Sequence, residues 1–159
     1  MGTTVLEFSF LPIGESRELV DDLRLVFADL ATALGPEQRA YSGEYHPTLD
    51  VLETATAVEI VVDVAGVPAE ALRVLFRGDV LIVAGEKAPG PAAPDPSFHL
   101  LERGFGRFAR AVRLSGAFEI TQARAVLSSG ELTIVLPKRA DRRGRAQAIA
   151  ITTDSRRPA

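Results

Sequence analysis

The amino-acid sequence predicts an all-β sandwich of about seven short strands, preceded by an amphipathic helix and followed by an extended tail. Two observations carry this prediction. From residue 47 onward, hydrophobic residues recur with a period of two, and turn residues interrupt them about every 8–12 positions. Before residue 35, hydrophobic residues recur instead at spacings of three and four, the helical pattern.

Residues 15–34 form the predicted helix. Ser16 is a suitable N-cap, and Gly35-Pro36 is a stop signal. Such a helix cannot bury its apolar face alone, so we expect that face to contact another surface. The apolar stripe consists of Leu19, Leu23, Val26, Phe27, Leu30 and Leu34.

The strands are expected in six stretches, of which the last contains two strands around a turn at Ser129-Gly130. No helical pattern separates them, which argues against parallel winding. "DVLIVAG" is apolar on both faces and is therefore expected to be a central strand. In order, the stretches are "TLDVLE", "AVEIVVDV", "ALRVLFRG", "DVLIVAG", "GRFARAVRL" and "QARAVLSSGELTIVLP".

A proline-rich stretch, "KAPGPAAPDP" (87–96), cannot be a central strand and is expected to be a loop. It leads into "SFHLLE", a short alternating segment with Phe98 and Leu100 on one side. These patterns divide the chain into a helical, flexible arm (1–45), a sandwich domain (46–137) and a flexible extension (138–159).

Composition excludes several classes of protein. The 159 residues include no cysteine, so disulfides and Cys-ligated zinc are excluded. The N-terminus has no basic region of the signal-peptide kind, and no apolar run is long enough to cross a bilayer. We therefore expect a cytoplasmic protein with no membrane partner.

Motifs for catalysis are not found. The two histidines, His46 and His99, are far apart and lack ligand spacing. Gly104–Ala109 formally fits a dinucleotide-binding motif, but a strand rather than a helix is expected to follow it. The sequence therefore predicts no enzyme, no metal and no cofactor.

Four stretches carry a resemblance to a known family: "YHPTLDVLET", "VDVAGVPAEALRV", "ERGFGRFARAVRL" and "ARAVLSSGELTIVLPK". With the later Ile149-Ala150-Ile151, they make the chain from about Tyr45 to Ile151 similar to the α-crystallin domain of the small heat shock proteins. The matching residues are Pro47, Asp50 and Glu53, then Gly66, then Glu102, Arg103, Gly106, Phe108 and Arg110, then Ala125, Gly130, Leu132, Pro137 and Lys138. The chain departs from the family at Ala65 and Ser115, where proline is usual, and at Glu131, where an apolar residue is preferred.

The resemblance implies an immunoglobulin-like sandwich of seven to eight strands. It also implies an ATP-independent holdase chaperone, assembled as an oligomer of dimers, that binds unfolding client proteins. In the bacterial, archaeal and plant type, the long loop carries a strand into the partner's sheet. Phe98, Leu100 and Glu102 would belong to that crossing strand, which would pair beside "TLDVLE", and Arg110 would tie the loop to the sheet.

The tail carries a second assembly signal. In extended chain, Ile149 and Ile151 point the same way, about 6.5–7 Å apart. The resemblance places their receiving groove between "ALRVLF" and "QARAVLS" of a neighbour. Val74 and Phe76, or Leu75 on the other face, would line that groove, with Val126 or Leu127 opposite. The alternatives are a tail that folds back on its own domain and two incidental isoleucines.

Two other functions remain open at this stage. One is a monomeric co-chaperone adaptor on a related sandwich, against which the helix and the tail both argue. The other is nucleic-acid binding through the basic tail. Against it, the seven Lys and Arg residues after Leu136 are not interleaved with aromatic residues, and the net charge is −3. On the chaperone interpretation, the helix stripe contacts clients or other subunits.

Overall fold

In the described part of the chain, two four-stranded antiparallel sheets face each other across one core, and one α-helix lies on the outer face of one sheet. The computed structural model describes residues 8–12, 16–35, 45–91 and 93–139. Its elements are β1 (Phe8–Phe10), α1 (Arg17–Leu34), β2 (Leu49–Glu53), β3 (Ala57–Asp63), β4 (Leu72–Arg77), β5 (Val80–Lys87), β6 (Gly106–Leu114), β7 (Arg124–Ser128) and β8 (Glu131–Pro137).

The strand order confirms the predicted sandwich. One sheet runs β1-β6-β5-β4 and the other runs β2-β3-β8-β7, with every pairing antiparallel. The predicted central strand is β5, whose residues are all buried. The turn between β7 and β8 uses positive φ at both Ser129 (51°) and Gly130 (78°), as two-residue hairpin turns require.

The core follows from the period-two pattern. Alternate residues of the strands point between the sheets, where burying apolar area is the main stabilising contribution. From one sheet these are Val58, Ile60, Val62, Leu132, Ile134 and Leu136, and from the other Leu81, Val83, Phe108, Val112 and Leu114, all at most 4% exposed.

The helix begins and ends where the sequence predicts. The Ser16 side chain accepts a hydrogen bond from the Leu19 N–H at 3.4 Å. Gly35, at a φ of 74°, donates its N–H to the Ala31 carbonyl and ends the helix. The surface that covers the stripe is the protein's own sheet, because the stripe packs on the outward side chains of β5 and β6. The covered side chains are Val80, Ile82, Ala84 and Ala111.

One strand was not predicted. β1 pairs with β6 from Phe8↔Leu114 to Phe10↔Val112 and so covers what would otherwise be the edge of that sheet. In contrast, the predicted strand "SFHLLE" is irregular within the single chain.

Candidate functional site

The segment 97–102 presents large apolar side chains to solvent. Phe98, Leu100 and Leu101 are 66%, 73% and 71% exposed, and Glu102 beside them is exposed as well. Three large apolar residues exposed within four positions form a local patch of the kind that marks interaction sites. The sequence had singled out Phe98 and Leu100, and the structure adds Leu101. Pairing of this segment with a partner's sheet stays a prediction.

β2 offers the edge to which that segment was assigned. It is the end strand of its sheet, and β3 is its only partner among the described strands. Leu49 and Val51 pack against the core, whereas Leu52 is 47% exposed on the other face. The unpaired backbone groups of an edge strand are a template for an added strand.

Arg110 joins the two sheets. Its Nη1 donates a hydrogen bond to the carbonyl oxygen of Pro47, just before β2, and its guanidinium lies 5.0 Å from the ring centre of Phe10. Burial lowers the pKa of Arg110 from its usual value. The sequence assigned this arginine to the proline-rich loop. Within the chain it instead holds the start of β2 to β6, so a contact with a loop in the dimer stays a prediction.

The predicted groove was assigned to β4 and β7, which are the end strands of the two sheets. Phe76 of β4 makes an edge-to-face contact with Phe118 at 6.0 Å, and Phe118 forms a bridge to Lys138, which follows β8. Through Phe118, β4 of one sheet is therefore linked to the end of β8 in the other sheet, where β7 is the next strand.

The residues assigned to the groove lining differ in the direction that they face. Val74, Phe76 and Leu127 are partly buried against the core between the sheets. Leu75 and Val126, at 37% and 58% exposed, alternate with them and face outward. The inner face of β7 remains open, because Ala125 is exposed although it pairs with buried Ile134. Val74, Phe76 and Leu127 are thus the members of the predicted set that face inward, and both the groove and its role as the tail receptor stay predictions. Ile149 and Ile151 lie outside the described residues.

A cationic and aromatic cluster that the sequence did not reveal lies at the base of the proline-rich loop. The Lys87 Nζ lies 4.5 Å from the ring centre of Tyr45 and 5.7 Å from that of Phe105, over which Arg103 also stacks at 5.0 Å. Burial, and then the charge of Arg103, lowers the pKa of Lys87. Tyr45 donates a hydrogen bond to the Asp63 carbonyl at 2.9 Å, and burial followed by the charge of Asp63 raises its pKa. The cluster thus links the segment before β2 to the end of β5.

The stripe predicted to contact clients or other subunits is covered in this structure. Leu19, Leu23, Val26 and Leu30 are at most 7% exposed, and Phe27 is partly buried. Such a stripe can contact another protein only when α1 leaves the sheet.

Two further findings bear on the class of protein. Within the described ranges, no group of His, Asp and Glu side chains is arranged to hold a metal ion. None of the helices in that part of the chain has the length and apolar character needed to span a membrane.

Within the described residues, the fold defines the class: a two-sheet antiparallel sandwich with β2 as an end strand and an exposed apolar segment at 97–102. Comparison with known proteins identifies the family. Residues 50–152 match the Hsp20/alpha crystallin family, and the chain belongs to it.

Individual relatives agree with this assignment. An 18.9 kDa heat shock protein of Oryza sativa subsp. japonica is 36% identical over 106 residues, which is 66% of this chain and 60% of the relative. A 16.9 kDa class I heat shock protein 1 of Triticum aestivum is 32% identical over 65% of this chain and 70% of its own length. Among solved structures, heat shock protein 16.0 from Schizosaccharomyces pombe aligns over 69% of this chain and all of its own, with a TM-score of 0.59 and 28% identity.

Proposed function

We propose that this protein is an ATP-independent holdase that binds unfolding proteins and assembles as an oligomer of dimers in the cytoplasm. The observation that carries the proposal is the exposed apolar segment 97–102, together with the position of β2 as the end strand of its sheet. Family membership supports the chaperone class, and the lack of cysteine fits a reducing compartment.

Dimer formation would use these two surfaces. An extended 97–102 segment of one protomer would add a strand to β2 of its partner, with backbone hydrogen bonds providing affinity and side chains providing specificity. The exposed Phe98, Leu100 and Leu101 would lose their contact with water on pairing. Because the exchange is reciprocal, one dimer buries two such segments.

Higher assembly would use the groove of Val74, Phe76 and Leu127 and the tail isoleucines of a neighbour. From Leu136, thirteen residues lead to Ile149. They span at most roughly 40–45 Å, which is enough to reach another dimer. Each docked tail is a modest attachment, so many together hold the assembly while single ones exchange. Grooves released by exchange are apolar surfaces on which an unfolding chain can be held without nucleotide hydrolysis.

A heat-aggregation assay tests the holdase activity. Light scattering of a heat-labile client should fall as the protein is added and reach its minimum near a one-to-one subunit ratio. ATP should make no difference. An unrelated globular protein at the same mass concentration is the control. Unchanged scattering at every ratio, with the oligomer intact, would contradict the proposal.

Substitution of the tail tests the assembly. Ile149→Ala with Ile151→Ala should reduce the native mass to dimers or small oligomers, because each truncation loses up to about 2–5 kcal/mol of burial in a fully enclosed site. The β-rich circular dichroism should not change. The control is Arg143→Ala with Arg145→Ala, which should have little effect because exposed charges contribute little. An unchanged native mass would count against docking of the tail.

A further inference from the structure

The Lys87 amine occupies a confined position at the end of β5. Lys87 is 8% exposed, and its Nζ lies 4.5 Å from the ring centre of Tyr45 and 5.7 Å from that of Phe105. Arg103 stacks on the same Phe105 ring, at 5.0 Å from its centre. A Cβ added at Gly66 would lie 3.7 Å from Lys87 Cε and 3.9 Å from Arg103 Nη2, so the two cationic side chains converge on one point.

No carboxylate neutralises these two cations in the described part of the chain. Neither Lys87 nor Arg103 forms an ion pair there, and Glu86, the neighbour of Lys87 in β5, lies 3.9 Å from Arg107 instead. Burial and a nearby like charge both disfavour the charged form of an amine. Burial, and then the charge of Arg103, therefore lowers the pKa of Lys87, and more of its amine is neutral at a given pH than it would be in water.

The other lysine of the chain is in the opposite situation. Lys87 and Lys138 are the two lysines of the sequence. The Lys138 Nζ donates to the Glu53 carboxylate and, at 2.8 Å, to the Thr54 carbonyl. A carboxylate and a carbonyl at hydrogen-bond distance favour the charged amine, which has no lone pair to offer. Lys87 is therefore the more nucleophilic of the two lysines.

The confinement of Lys87 selects a small electrophile. A side chain that is 8% exposed cannot enter the active site of a modifying enzyme, whereas carbon dioxide is small and uncharged. When a neutral amine adds to carbon dioxide, an N–C bond forms, one C–O π bond breaks with its electron pair passing to oxygen, and one N–H proton goes to water. The product is a carbamate, which carries a single negative charge where the ammonium carried a positive one.

We propose that Lys87 is a modification site that takes up carbon dioxide as a carbamate, with Arg103 as the counter-charge of the product. The modification turns two adjacent like charges into an ion pair, and this change favours the product. Because Arg103 directly follows the exposed segment 97–102, the ion pair would fasten the end of that segment to β5. The site does not rest on the holdase proposal, and its test needs no client.

Chemical trapping tests the site in the parent chain, with Lys138 as the internal control. The protein is equilibrated with isotopically labelled bicarbonate at one slightly alkaline pH and treated with a trialkyloxonium salt, which converts a carbamate into a stable ester. Mass spectrometry of the digest then locates the label. Lys87 should carry at least about threefold more label than Lys138, whose amine is held by an ion pair. Equal labelling of the two lysines, or no label at Lys87, would overturn the proposal.

Substitution of Arg103 tests its part as the counter-charge. Arg103→Gln should reduce the label at Lys87 about two- to fivefold, because the carbamate loses its ion pair. The matched control is Arg107→Gln. Arg107 is also an exposed arginine, but it stacks on Phe27 of α1 rather than on Phe105, so its loss should leave the label unchanged. Equal label in the parent and in Arg103→Gln would overturn the role of Arg103.

Urea denaturation provides a readout that does not depend on trapping. At fixed pH and ionic strength, replacing chloride with bicarbonate should raise the urea midpoint of the parent, because a modification favoured by the folded state stabilises that state. Lys87→Arg keeps the positive charge but offers no neutral amine, so its midpoint should not respond. The same response in both proteins, or none in the parent, would contradict a carbamate at Lys87 that is stabilised by the fold.

Discussion

Gly85→Ala tests how closely β5 packs against the neighbouring segments of its own sheet. Gly85 lies in β5 opposite Phe108 of β6, and the side on which a Cβ would stand is occupied by the Phe108 ring. A Cβ at this position would lie 2.6 Å from the carbonyl oxygen of Ala71 and 2.6 Å from Cζ of Phe108. Both distances are shorter than real Cβ contacts, and the first involves backbone. The Ala71 backbone is itself held by a 3.0 Å hydrogen bond from its N–H to the Pro68 carbonyl.

Two opposing effects set the magnitude. Overpacking a core costs about 1–3 kcal/mol. Replacing glycine in a strand recovers about 0.5–1 kcal/mol, because alanine has less freedom in the unfolded chain. Since one of the two contacts cannot move without shifting backbone, the clash prevails. We expect a net loss of roughly 1–2 kcal/mol.

Urea denaturation followed by circular dichroism measures this loss, at one fixed subunit concentration because assembly contributes to apparent stability. With a urea slope of about 1–3 kcal/mol per molar, the midpoint should fall by about 1 M. Gly90→Ala is the matched control, because no atom lies within 4 Å of its added Cβ, and it should change stability by less than about 0.5 kcal/mol.

A second substitution identifies the cause of the loss. Phe108→Leu removes the Cζ atom that the new methyl group would meet. Its cost in the Gly85→Ala background should therefore be smaller than its cost in the parent chain, as a coupled pair requires. A Gly85→Ala midpoint equal to that of the parent, or fully additive effects, would refute the packing described between β5 and β6.

Two further predictions follow from the ends of the sandwich. Arg110→Lys should lower the free energy of unfolding by about 1–2 kcal/mol, because an ammonium cannot reproduce both the charged hydrogen bond to Pro47 and the stacking on Phe10. The control is Arg124→Lys at an exposed position, which should change stability little. Equal urea midpoints for the two variants would contradict this role of Arg110. The pKa of Tyr45 is raised by folding, so its contribution to stability is present below its unfolded pKa of about 10 and is lost as the pH rises through the higher folded pKa. The stability advantage of the parent over Tyr45→Phe should therefore shrink in urea titrations above about pH 10, and an advantage that grows there would show the opposite shift.

The sandwich could be predicted because its signal is local. Strands such as β3 and β8 alternate apolar and polar residues along their own length, and the Ser129-Gly130 turn is evident from two adjacent positions. The helix was equally predictable, since its stripe and its caps lie within one continuous stretch.

What could not be predicted depends on contacts between distant residues. Nothing in the pattern of β5 states that its outward face is covered by α1 rather than by a neighbouring subunit. Arg110 donates its hydrogen bond to the backbone carbonyl of Pro47. Because every residue has such a carbonyl, the side chain at position 47 does not reveal this contact in the sequence. β1 is only three residues long, although Phe8 and Phe10 alternate as a strand requires. The Lys87–Tyr45 contact joins residues with no recognisable motif.

The proposed chaperone is an assembly of dimers, whereas the alternative adaptor is a monomer. A native mass spectrum tests this difference most directly, because each subunit contributes 17.0 kDa. We expect even multiples of that mass. Phe98→Asp with Leu100→Asp should shift the spectrum toward the single-subunit mass, whereas Leu25→Asp, at a leucine 71% exposed on α1, should leave it unchanged. A parent protein that is a single subunit at micromolar concentration would contradict assembly from dimers and favour the monomeric adaptor.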